Sequence, residues 1–166
     1  MSQTYTSSAT SINSAKLPAV YRKAKLTAPY VLDYGCGKYT EHIRSALTGK
    51  VYLPFDPYNQ PDEVNCNTMM TVCTASASDE RVDVICSNVL NVIDEDDTVR
   101  FIAEQIERIT DKTGGTAYIT VYEGDRSGAG RQTGPDQYQR NEPLRNYLRF
   151  FRNATIKNGM IIVKGE

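Results

Sequence analysis

The sequence predicts an α/β fold: a mostly parallel central sheet with helices on both faces, closed by an antiparallel C-terminal hairpin. Three observations carry this expectation. Short apolar runs alternate with segments of helical spacing along most of the chain, the pattern of strands joined by helical crossovers. The run 82–89 is nearly continuously apolar, as a parallel strand covered on both faces should be. Asn158-Gly159 separates two short strand-like runs, and that pair suits the tight turn that hairpins prefer.

Taken in order, residues 1–15 hold eight Ser or Thr and almost no apolar side chains. Such a segment buries too little surface to offset its ordering entropy, so a flexible tail is expected there, followed by a single domain over 16–166. Leu17, Val20, Tyr21 and Ala24 predict a short helix across 16–25, and 30–33 reads as the first strand. Ile43, Ala46 and Leu47 give the next helix an inward face, ended by Gly49. Residues 51–55 make a second strand, bounded by Asp56-Pro57. The run 68–74 reads as a third strand, with a buried helical turn as the alternative, and 82–89 as a fourth. Val99, Ile102, Ala103, Ile106 and Ile109 mark an amphipathic helix over 97–111. Gly114-Gly115 ends it, and 116–122 is the fifth strand. Five Gly or Pro positions predict a long loop over 123–139. Leu144, Tyr147, Leu148 and Phe151 predict a helix, and 154–157 with 160–164 the closing hairpin.

Composition bounds the function classes. The 19 Lys plus Arg nearly balance 20 Asp plus Glu, so net charge argues neither for nor against a polyanionic partner. No apolar run approaches a membrane span and no signal-peptide core opens the chain, so a soluble, cytoplasmic protein is expected. The four cysteines form no C-x-x-C pair and there is one histidine. A zinc site is not expected, and reduced thiols are.

The stretch Val31-Leu32-Asp33-Tyr34-Gly35-Cys36-Gly37-Lys38 runs from a strand into a tight loop. Gly35 and Gly37 let the backbone turn and approach a bulky ligand. Asp33 suits an apolar core badly and a ligand's amine well. The run resembles the first motif of class I S-adenosylmethionine-dependent methyltransferases, an acidic residue followed by Gly-x-Gly, with Tyr39 where many members carry a third glycine. The resemblance implies a Rossmann-like methyltransferase sheet whose last strand inserts antiparallel, and S-adenosylmethionine as cofactor. It covers about 30–122 by motif. A dinucleotide-binding domain would want Gly-x-Gly-x-x-Gly, yet Thr40 stands at the sixth position.

Asp56 ends the second strand, where an acidic side chain can accept from both ribose hydroxyls; the plain alternative is an Asp-Pro turn. Around it, Cys36, Pro57 and Tyr58 fall beside the implied cofactor, Tyr58 against the adenine. Ser87-Asn88-Val89-Leu90-Asn91 resembles the matching strand end of the family, which places Asn88 and Val89 at the pocket for the methionine portion, with Asn91 less well placed. This strand end has no Asp/Asn-Pro-Pro-aromatic motif and Cys86 lies inside the strand, so neither standard class of DNA base methyltransferase is supported.

The segment 126–152 carries Arg126, Arg131, Arg140, Arg145, Arg149 and Arg152 against Asp136 and Glu142, interleaved with Tyr138, Tyr147 and Phe150. Arginine with aromatics can hold phosphates and stack bases, so nucleic acid is the acceptor this segment suits, through Arg131 and Arg140. A solvated helix face is the plainer reading. Glu123 and Asp125, just past the fifth strand, are placed to act as a base should the acceptor need one. A small-molecule or protein acceptor, and a non-catalytic cofactor-binding partner subunit, remain as alternatives; the sequence says nothing of oligomeric state.

Overall fold

The computed structural model describes residues 16–135 and 137–165; the expected tail over 1–15 lies outside the described residues. A short helix α1 (Ala19–Lys23) leads into β1 (Tyr30–Tyr34), α2 (Glu41–Ala46), β2 (Val51–Phe55) and α3 (Asp62–Ala77). Then come β3 (Val82–Ser87), α4 (Asp96–Thr113) and β4 (Thr116–Thr120). β5 (Arg131–Gly134) pairs only with β6 (Gln137–Gln139), and β7 (Ala154–Lys157) and β8 (Met160–Lys164) end the described chain. 3-10 turns occupy Leu90–Val92 and Leu144–Phe150.

The main sheet has the order β2-β1-β3-β4-β8-β7. β2, β1, β3 and β4 run parallel. β8 lies between β4 and β7, antiparallel to both. The α/β class with a mostly parallel sheet is therefore present, and the closing hairpin has the expected bounds. Asn158 and Gly159 both hold positive φ, 54° and 71°, as a type I′ turn requires.

Strand alternation divides the apolar residues between two faces. Leu32 of β1 joins Val72, Ala75, Val99, Ile106 and Tyr147 in one cluster, beneath α3, α4 and the second 3-10 turn. Val31 joins Val20, Ile43, Leu47 and Ile85 in the other, beneath α1 and α2. Helices thus cover both faces, and each fully buried aliphatic side chain adds about 1.5–3 kcal/mol.

The strand expected over 68–74 is a correction: those residues lie in the middle of α3. Its buried residues are Asn65, Thr68, Val72 and Ala75, a helical spacing whose first two members are polar. Both are buried because they bond backbone, Thr68 Oγ1 donating to Pro54 O at 2.7 Å. Asp62 and Glu63 in the first turn favour a helix N-terminus. The loop expected over 123–139 contains β5 and β6, whose polar side chains give no periodic apolar signal. The helix expected from Leu144 is a 3-10 turn.

Candidate functional site

The chain leaves β1 for β2 on one side and returns to β3 on the other. The carboxyl ends of β1 and β3 therefore diverge into loops at a point where open α/β sheets hold ligands. The loop after β1 is shaped by its glycines. Gly35 has φ +84° and Gly37 φ +71°, and a Cβ added at Gly35 would overlap Val89. Gly35 and Cys36 both donate to Phe55 O, which ties this loop to the end of β2. Asp33, Gly35, Gly37, Asp56 and Val89 are thereby brought together.

Asp33 is the unusual group. Its side chain is 3% exposed on the face covered by α1 and α2. Tyr52 donates its hydroxyl to Oδ2 at 2.8 Å. The Tyr21 phenol is buried beside it without full hydrogen-bond geometry. None of the ion pairs among the described residues reaches it. Burial pushes the carboxyl up to about 6, the two tyrosine hydroxyls pull it back, and the charge of Asp56 adds to the rise. Other buried carboxylates are better served. Asp83 accepts backbone N–H bonds from Thr27, Ala28 and Thr116, and Glu107 is paired with Arg152. Neither tyrosine was singled out as a site residue from sequence. Tyr52 was legible in principle: once β1 and β2 are parallel neighbours with Asp33 opposite Pro54, Tyr52 falls on the same face.

Asp56 braces the rim. Its Oδ2 accepts the Gly37 N–H at 2.9 Å, and its Oδ1 accepts from Tyr58 N, Asn59 N and Asn59 Nδ2. Asn65 brackets its backbone, accepting from Asp56 N and donating to Asp56 O. The turn reading of Asp56 is thus realised in the structure, and only Oδ2 keeps ready acceptor capacity. Pro57 and Tyr58 are exposed beside it. Cys36 is buried, and burial holds its thiol protonated. Asn88 is exposed in left-handed conformation, φ 58°, with its N–H donated to Thr120 O. Asn91 points elsewhere: buried, it donates to Gln139 Oε1 and so anchors β6.

Arg140 of the arginine-rich segment is a second correction. Arg140 is 4% exposed, and its guanidinium meets Asp96 at 2.7 Å and Glu142 at 3.1 Å. It also donates to the carbonyls of Ile93 and Asp94. Four of its five N–H donors are thus taken by protein acceptors, and its burial keeps it from meeting a phosphate. Arg126, Arg149 and Arg152 also pair with carboxylates, which leaves Arg131 and Arg145 outside the ion pairs of the described residues. Glu123 and Asp125 are poor bases as well. The Leu144 N–H holds Glu123 below the usual carboxylate range, and Arg126 adds to this; Ser127 does the same for Asp125.

Among the described residues no helix is long and apolar enough to cross a membrane. No family model, curated protein or solved structure matches this chain.

Proposed function

We propose that the chain binds S-adenosylmethionine at the divergence of β1 and β3 and directs its methyl group to an acceptor towards β4. The observation that carries this reading is Asp33, a buried carboxylate with one tyrosine donor and no cation among the described residues. A ligand bearing an ammonium and a sulfonium supplies the missing positive charge, whereas the pyrophosphate of a dinucleotide would bring like charge. The reversal of the sheet at β1 and the antiparallel insertion of β8 agree with the Rossmann-like methyltransferase arrangement.

In this reading Gly35 and Gly37 permit close backbone approach, and Asp33 faces the ammonium directly or through water. Asp56 Oδ2 accepts from a ribose hydroxyl, while Tyr58 and Asn88 border the site. When bound, the cofactor would supply an electrophilic methyl group on sulfur. The protein's share is alignment and exclusion of water. With the basicity of Glu123 and Asp125 lowered by their partners, the acceptor best suited is one whose lone pair attacks without first losing a proton, such as an aromatic ring nitrogen, rather than a hydroxyl.

Calorimetric titration with S-adenosylmethionine, S-adenosylhomocysteine and NAD tests this. Binding of the first two and not of NAD is expected. A cationic ligand favours ionised Asp33, so affinity should rise between pH 5 and pH 7.5, by at most about tenfold per pH unit below the carboxyl's own titration, and then level off. Clear NAD binding without S-adenosylmethionine binding would overturn the proposal. Labelled-methyl transfer then separates an enzyme from a non-catalytic binding subunit.

A further inference from the structure

Two clefts open just past the end of β4. One, of about 450 Å³, is lined by Tyr122, Asp125, Arg131, Gln137 and Tyr138, among others. The second, of about 430 Å³, is lined by Tyr122, Gly124, Arg126 and Leu144, among others. Both volumes fall in the range of small-ligand pockets, roughly 300–1,000 Å³. Tyr122 and Gly124 line both, and Tyr122 is 64% exposed, so its ring borders two clefts of nearly equal size. Each cavity carries one arginine. Arg131 belongs to no ion pair among the described residues, and Arg126, though tied to Glu123, keeps 69% of its side chain exposed.

The wall behind the clefts is built rather than loose. Arg140 N donates to Asn91 O, Asn91 Nδ2 to Gln139 Oε1, and Gln139 Nε2 to Tyr122 O. Asn141 Nδ2 donates to Ala129 O, and Gly128 N to Asn141 O. Any side chain at Gly124 would overlap Asn141, and any at Gly130 would overlap Tyr138. The buried Arg140 thus shapes a surface that other residues present.

We propose that these clefts take two successive nucleotides of a single-stranded nucleic acid, with Tyr122 against the bases and Arg131 and Arg126 meeting the backbone phosphates. A ring with two equal cavities beside it suits bases spread apart, which a duplex does not offer. Every base has a π-face, so such stacking tolerates sequence, and guanidinium groups match phosphate geometry. The inference deepens the methyl-transfer reading by naming the acceptor class, yet it rests on the clefts and not on Asp33.

The test is fluorescence anisotropy with a labelled single-stranded heptanucleotide, against a duplex of the same sequence and adenosine monophosphate, at several salt concentrations. The parent protein should prefer the single strand, with affinity falling as salt rises. Tyr122→Ala should weaken binding roughly tenfold while Tyr122→Phe binds as the parent does. Arg131→Ala should lower the salt slope by about one. Absence of salt-sensitive strand binding, equal binding of the monophosphate or the duplex, or an unaffected Tyr122→Ala variant that melts like the parent would each overturn the inference. Parallel calorimetry with S-adenosylmethionine keeps the two readings apart: cofactor binding without strand binding removes this one alone, and strand binding without cofactor binding removes the other.

Discussion

Asp33 and Arg140 are both buried charges, and the protein treats them in opposite ways. Arg140, at 4% exposure, is enclosed by two carboxylates and two backbone carbonyls. Asp33, at 3% exposure, has one tyrosine donor and a carboxyl pushed up to about 6. A buried charge with its partners in place is architecture, whereas one held without them is, in the function proposed above, where a ligand's positive charge would sit. The same contrast separates the regions around them. Four of the six arginines in the arginine-rich segment pair with carboxylates, those of Asp96, Glu107 and Asp111 coming from α4, while the rim beside the glycine loop, unremarkable in charge count, holds the carboxylate without an ion pair among the described residues.

The largest expected effect breaks the contrast at its architectural end. Arg140→Ala takes this donor from the Ile93 and Asp94 carbonyls and leaves Glu142, itself only 12% exposed, with Arg149 alone. Removing one partner of a buried pair costs about 3–5 kcal/mol, to be read from urea unfolding. Arg126→Ala, which removes an exposed pair, should cost less than about 1 kcal/mol in the same assay. Equal costs would mean that burial does not distinguish these arginines.

A smaller effect sharpens the rim. Gly35→Ala forces a side chain into positive φ and against Val89, at a cost of about 1–3 kcal/mol. Adding Val89→Ala should recover the steric share and leave the backbone share, a coupling that a double-mutant cycle on unfolding free energies measures. Additive costs would place the whole penalty in the backbone.

Much of the fold was legible because it is written in local pattern. The bounds of β2 and of the closing hairpin follow from Asp56-Pro57 and Asn158-Gly159, and the apolar stripe of α4 from its 3.6-residue spacing. The segment 68–74 misleads because α3 buries Asn65 and Thr68 by bonding them to backbone, so its inward face is not apolar. The glycine loop was legible from residue type alone. Arg140 was not, since its partners Asp96 and Glu142 lie at unrelated distances along the chain, and pairing rather than composition decides which arginines reach solvent. The roles of Tyr21 and Tyr52 depend on strand register across two elements, which no single motif encodes.

The most direct measurement is the stability of Asp33→Asn against pH, with and without S-adenosylmethionine. In the parent, the folded-state carboxyl titrates near 6 and the unfolded one near 4, so the folded state binds more protons between these values. Stability linked to Asp33 is then full below about pH 4 and lost as pH rises through 6. Asparagine keeps an acceptor for Tyr52 and removes the charge. The variant should therefore unfold at a higher temperature than the parent at pH 7, with a gain of about 1–3 kcal/mol that vanishes near pH 4. It should also lose most of the thermal shift that S-adenosylmethionine gives the parent. A variant less stable than the parent at pH 7, with the ligand-induced shift intact, would make Asp33 a structural acceptor and contradict the account.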